Sequence, residues 1–143
     1  MTKDDIVEST IRTDGGMILS GIKDNNSCTI RALSIASGIS YEEAFQIGKE
    51  AGRKIGCGFP TSKLMKSARK NGIDFKKMKY KSITLQKFLS LGLVGRFVVR
   101  RRGHAFAIIG GVIHDAVLNP PMSRLTEIYK VESHRLERLK AMR

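Results

Sequence analysis

The chain has 143 residues, 41% of them apolar and only three of them proline, which suits one domain with a buried core and excludes a disordered polymer. No apolar run reaches membrane-spanning length, and the acidic start Met1-Thr2-Lys3-Asp4-Asp5 is unlike a signal peptide. Two cysteines are too few for a secreted disulfide framework, so a cytoplasmic protein with free thiols is expected.

The net charge of +13 is unevenly placed. Residues 1–52 carry 5 Lys/Arg against 8 Asp/Glu, residues 53–102 carry 15 against 1, and residues 103–143 carry 6 against 4. The middle third therefore holds a balance of +14, including Lys76, Lys77, Lys79, Arg100, Arg101 and Arg102. Such a block suits nucleic acid or an acidic protein as partner. A solubilising surface is the plainer alternative.

Residues 1–27 show weak periodicity and contain Gly15-Gly16 and Asp24-Asn25-Asn26-Ser27, so they read mostly as loop, the first 23 forming an N-terminal extension. A helix is expected from Cys28, capped by Asn26 or Ser27, with Ile30, Ala32, Leu33, Ile35 and Ala36 as its apolar face and Gly38 as its stop. Ser40 caps a second helix carrying Tyr41, Ala44, Phe45, Gly48 and Ala51 at helical spacing. After the loop Gly56-Cys57-Gly58-Phe59-Pro60, a third helix begins near Thr61 and ends at Asn71-Gly72. A strand over Ile73–Tyr80 and a short helix with Leu85, Phe88 and Leu89 come next. Strands are then expected at Arg96–Arg101, His104–Ile109, Val112–Leu118 and Glu127–Val131. A basic helix or tail over 133–143 closes a single domain spanning 1–143. Helices followed by antiparallel strands imply an α+β fold.

Cys28 is placed at a helix start, where unpaired N–H groups and the positive dipole end favour a thiolate, the nucleophilic form. A small buried apolar residue is the alternative. Gly110-Gly111 between two apolar runs signals a two-residue hairpin turn. That turn sets Ile109 opposite Val112 and Ile108 opposite Ile113, so His104, Phe106, Ile108, Ile113 and Asp115 share one side. His104 and Asp115 become diagonal neighbours within hydrogen-bonding reach, whereas His114 points the other way. A carboxylate on one ring nitrogen fixes the tautomer and leaves the other to deprotonate a thiol. A core histidine satisfied by an aspartate is the competing reading. Cys57 lacks a helix start, and the scattered cysteines and histidines match no metal-ligand spacing. No cofactor is called for.

The stretch 25–44, Asn-Asn-Ser-Cys-Thr-Ile-Arg-Ala-Leu-Ser-Ile-Ala-Ser-Gly-Ile-Ser-Tyr-Glu-Glu-Ala, resembles the cysteine-helix opening of small papain-like proteins, many of them phage-encoded. Residues 102–115, Arg-Gly-His-Ala-Phe-Ala-Ile-Ile-Gly-Gly-Val-Ile-His-Asp, resemble their histidine hairpin. Peptidases that remove double-glycine leaders from bacteriocins have a similar layout. The resemblance spans roughly residues 24–118 and implies a papain-like cysteine peptidase acting on a peptide or protein substrate, in the host cytoplasm or a virion. It further implies Cys28 as nucleophile, His104 as base and Asp115 as orienting residue. Such enzymes commonly carry an oxyanion-hole glutamine six residues before the cysteine, where this chain has Ile22. Asn25 or Asn26, with the Cys28 N–H, is the expected substitute. A papain-like scaffold that only binds, and an acyltransferase, are the alternative functions.

Overall fold

The computed structural model describes residues 16–19, 22–80 and 82–132, the backbone alone over 16–25. Two strands, β1 (Gly16–Leu19) and β2 (Ile22–Asn25), pair antiparallel. An antiparallel strand pair thus stands where mostly loop, with at most one short element, was expected. The glycine and asparagine signals mark its two ends, and period-2 patterning over four residues is too short to register. The basic segment 133–143 and most of the expected extension lie outside the described residues.

Helix α1 (Cys28–Ser37) ends where Gly38 enters the left-handed region at φ 79°. Helix α2 (Tyr41–Glu50) starts with the Glu43 N–H donating to the Ser40 hydroxyl at 3.1 Å, the capping the sequence predicts. Gly48 lets these helices close together, since a Cβ there would stand 2.7 Å from Ile30 Cδ1. Helix α3 (Thr61–Lys70) buries Leu64, Met65 and Ala68 and turns Lys63, Lys66 and Lys70 to solvent. Helix α4 (Leu85–Ser90) is capped by the Thr84 hydroxyl.

The remaining strands are β3 (Phe75–Lys77), β4 (Ile83–Thr84), β5 (Arg96–Arg101), β6 (His104–Ile109), β7 (Val112–His114) and β8 (Arg124–Val131). They form one antiparallel sheet ordered β3-β8-β5-β6-β7, with β4 also on β8. The chain is α+β, with its first three helices on one face of this sheet. Val98, Ala105, Ala107, Tyr129 and Val131 pack there against α1, α2 and α3. Phe97, Val99, Phe106, Ile108, Leu125 and Ile128 pack on the other face with Leu85 and Phe88 of α4. Alternation along each strand sorts the two clusters. Leu125 and Ile128 share a face despite odd spacing because the β5–β8 register shifts between Arg100 and Arg101, making Thr126 an extra residue. That shift is a bulge, a feature that re-aims neighbouring side chains.

Two expected strands are shorter than their patterns. Strand β3 begins only at Phe75, because the Ile73 N–H is already used by the Ala68 carbonyl at the end of α3. Strand β7 stops at His114 rather than Leu118. Asp115 Oδ1 takes the Ala116 N–H at 2.8 Å, Asn119 bonds to Asp115, and Pro120-Pro121 supply no donors, so the chain turns out of the ladder. Leu118 is left 96% exposed.

Candidate active site

Cys28 is the first residue of α1, and His104 is the first residue of β6. By alternation His104 lies on the face of Phe106, whose ring stacks with the imidazole at 5.9 Å. Helix α1 covers the opposite face, with Ala105 and Ala107. The two side chains nevertheless meet, because both sit at the end of the sheet, where the imidazole can reach past the strand's first residue. The His104 ring and the Ala105 backbone N–H both act on the Cys28 thiol closely enough to lower its pKa. The Thr29 hydroxyl lies 3.9 Å from the sulfur.

The Ala105 N–H is open for a structural reason. Pairing from the Gly110-Gly111 turn runs Ile109↔Val112, Ile108↔Ile113 and Ala107↔His114, with both glycines at positive φ, 55° and 80°. Hydrogen-bonded and non-bonded pairs alternate along such a hairpin. The Ala105 N–H therefore points toward the side of β7, and a longer β7 would have occupied it. Because β7 ends at His114, this donor faces the sulfur instead.

His104 Nε2 and Asp115 Oδ2 are 2.5 Å apart, with side chains only 13% and 7% exposed. The remaining ring nitrogen, Nδ1, is the one left for the thiol. Burial pushes the Cys28 thiol up, but the hydrogen bond from His104, the Ala105 N–H and the imidazolium charge outweigh it, bringing the pKa down to about 7. Burial likewise pushes His104 down, yet Asp115 and the Cys28 sulfur lift it to about 9. Burial raises the Asp115 carboxyl, while His104, Asn119 and the Ala116 N–H together hold it below its usual range. The sign is consistent across the three groups. Between about pH 7 and pH 9 the dominant state is thiolate, imidazolium and carboxylate.

The structure thus brings Cys28, His104 and Asp115 together, and it sends the other named residues elsewhere. Asn26 Nδ2 donates to the Gly56 carbonyl at 3.0 Å, and the Asn26 carbonyl takes Arg53 Nη2 at 3.5 Å. Its amide braces the 52–60 loop against the start of α1. Arg100 donates to Thr61 Oγ1 at 3.0 Å and lies 3.9 Å from Glu127. Arg101 Nε donates to Asn119 Oδ1 at 2.8 Å. Both were expected on a free cationic surface, but each is tied to a partner within the fold. Arg102 is exposed in the β5–β6 turn, and Lys76, Lys77 and Lys79 lie exposed at and beyond β3. The sheet order puts β3 at the edge opposite β7. The basic block is therefore not one patch beside the thiol.

Two residues went unseen in the sequence. Arg53 is buried, with Nε donating to the Cys57 carbonyl at 2.9 Å, and Asn119 donates to Asp115 Oδ2 at 2.8 Å. Neither falls in a periodic segment; only the Asn119-Pro120-Pro121 turn signature marks the second. Cys57 is exposed and, like Cys28, free. Among the described residues no group of His, Cys, Asp and Glu is placed to hold a metal, and no helix is long and apolar enough to cross a membrane. No protein-family model, curated protein or solved structure matches the chain.

Proposed function

We propose that this protein is a papain-like cysteine hydrolase that cleaves a peptide or isopeptide bond through an acyl-enzyme on Cys28. The observation that carries the reading is the arrangement of Cys28, His104 and Asp115, in which the imidazole is bonded to the carboxylate and acts on the thiol, favouring a thiolate beside an imidazolium near neutral pH. The thiolate attacks the substrate carbonyl, and the imidazolium donates its proton to the departing amine. Neutral His104 then takes a proton from the water that attacks the thioester, and releasing the acid regenerates the ion pair. The oxyanion formed in each half-reaction is stabilised by the Cys28 backbone N–H, which precedes the first intrahelical bond, Arg31 N–H to Ser27 O at 2.9 Å. Asp115 keeps the imidazole oriented throughout and is not itself protonated. An amine in place of water would make the same site an acyltransferase.

A panel of peptide vinyl sulfones tests this reading. Preferential modification of Cys28 over Cys57, abolished by His104→Ala, is expected. Equal modification of both cysteines overturns it.

A second reading rests on the exposed lysines. Lys54, Lys63, Lys66, Lys70, Lys76, Lys77, Lys79 and Lys87 all face solvent, and Asp74 is the only acidic residue between positions 53 and 102. These lysines favour non-specific attraction of an acidic protein or nucleic acid, with affinity falling steeply as salt is added. Salt-insensitive binding, or none at low salt, removes that reading.

A further inference from the structure

We propose that Asn119 and Arg101 are positioning residues that lock the Asp115 carboxylate onto His104. This inference rests on the cysteine-hydrolase reading and adds two members to its site.

The Asp115 carboxylate has two oxygens and three donors. Oδ1 takes the Ala116 N–H at 2.8 Å, while Oδ2 takes both His104 Nε2 at 2.5 Å and Asn119 Nδ2 at 2.8 Å. Asn119 therefore shares the very oxygen that orients the imidazole. An asparagine amide can turn either way, and the wrong orientation would set its own oxygen against the carboxylate. Arg101 removes that choice. Its Nε donates to Asn119 Oδ1 at 2.8 Å, and Arg101 has no acceptor to offer the other orientation. The same Asn119 nitrogen also donates to the Val117 carbonyl at 3.3 Å, so the amide is fixed from both sides.

The fold puts Arg101 in place for this task. Arg101 lies directly opposite His104 in the β5–β6 pairing, and the bulge against β8 falls between Arg100 and Arg101. Strand β5 thus presents Arg100 to Thr61 on α3 and Arg101 to the 115–119 loop. The loop has left the ladder at His114 and has no strand pairing to hold it. In its place a chain of side-chain bonds runs from Arg101 through Asn119 and Asp115 to His104. Partners behind metal-ligating histidines change activity by about ten- to a hundredfold when removed, and Asn119 and Arg101 stand behind His104 in the same way.

The test separates positioning from mere scaffolding. Asn119→Asp keeps the acceptor for Arg101 but sets a second carboxylate oxygen against Asp115, so the Arg101 tie survives while the bond that positions Asp115 becomes repulsion. Asn119→Ala removes both bonds, and Arg101→Gln frees the amide to turn. The readout is the rate of iodoacetamide alkylation of Cys28 from pH 5 to 10, followed by peptide mass spectrometry on the full chain, beside the thermal midpoint. Expected is a fall of about threefold or more in Cys28 alkylation at neutral pH for Asn119→Asp and Asn119→Ala. Asn119→Asp should lower the thermal midpoint through repulsion between the two carboxylates, so its alkylation is read well below that midpoint. A wild-type profile in Asn119→Asp overturns the inference; if Asn119→Ala does not fold, Asn119→Asp and Arg101→Gln decide it. Should the wild-type protein itself show an ordinary thiol profile, the hydrolase reading falls, a result distinct from unchanged profiles in the variants.

Discussion

The His104 end of the sheet and its β3 edge carry charge of the same sign and use it in opposite ways. Near the site three arginines are held by acceptors, Arg101 on Asn119, Arg100 on Thr61 and Arg53 on the Cys57 carbonyl, while Arg102 stands exposed in the β5–β6 turn. Arg96 belongs to the same pattern, donating to the Ala36 and Ile35 carbonyls at 2.8 and 3.3 Å where α1 ends. Within β3 the cations are the lysines Lys76 and Lys77, both in solvent, the latter 5.7 Å from the Tyr129 ring. The arginine beside them, Arg69, is again held, donating to the Phe75 carbonyl at 3.0 Å. A planar fork with several fixed donors suits a buried or half-buried acceptor, whereas a strongly hydrated ammonium stays outside. Charge counted along the sequence merges these two populations, and the fold separates them.

The sharpest way to break this contrast is to remove the site's reacting groups. Cys28→Ala and His104→Ala should each lower hydrolysis by at least about a thousandfold while circular dichroism stays wild-type. Losing activity together with fold would point to a structural role instead. Next in size is Asp115→Asn, which should reduce turnover by about ten- to a hundredfold and let His104 lose its proton at lower pH.

The pH profile sharpens the site half of the comparison without a substitution. Cys28 deprotonates at about 7 and His104 at about 9, so the competent ion pair forms as pH rises through the first value and disappears through the second. Activity should follow a bell between them, read from kcat/KM against pH. A profile that keeps climbing past pH 9 would mean that the imidazolium is not needed.

Smallest are the effects on stability, and they split by residue type. Arg96→Ala leaves partly buried carbonyls of α1 without a donor and should cost about 1–3 kcal/mol in urea unfolding. Lys76→Ala and Lys77→Ala should stay within about 0.5 kcal/mol. Equal costs at the two kinds of position would erase the distinction between held arginines and solvated lysines.

Much of the site was legible because it depends on local patterns. Gly110-Gly111 determined the hairpin register, register placed Asp115 within reach of His104, and the run after Ser27 placed Cys28 at a helix start. Proximity of Asn26 to Cys28 in sequence says nothing of the Gly56 carbonyl, which lies thirty residues further on and takes its amide. Val117 and Leu118 look like strand residues in sequence, although the Asp115 and Asn119 side-chain bonds end the β7 pairing before them.

From the sequence by itself came the elements, their α+β order, the hairpin turn and the Cys28, His104 and Asp115 candidates, all of which depend on neighbours a few residues apart. Tertiary structure alone decided that the thiol meets the imidazole around the end of the sheet, that the Ala105 N–H faces the sulfur, and that Arg101 reaches Asn119. Those contacts join segments far apart in the chain, and their geometry depends on a bulge and a strand end that no local periodicity encodes.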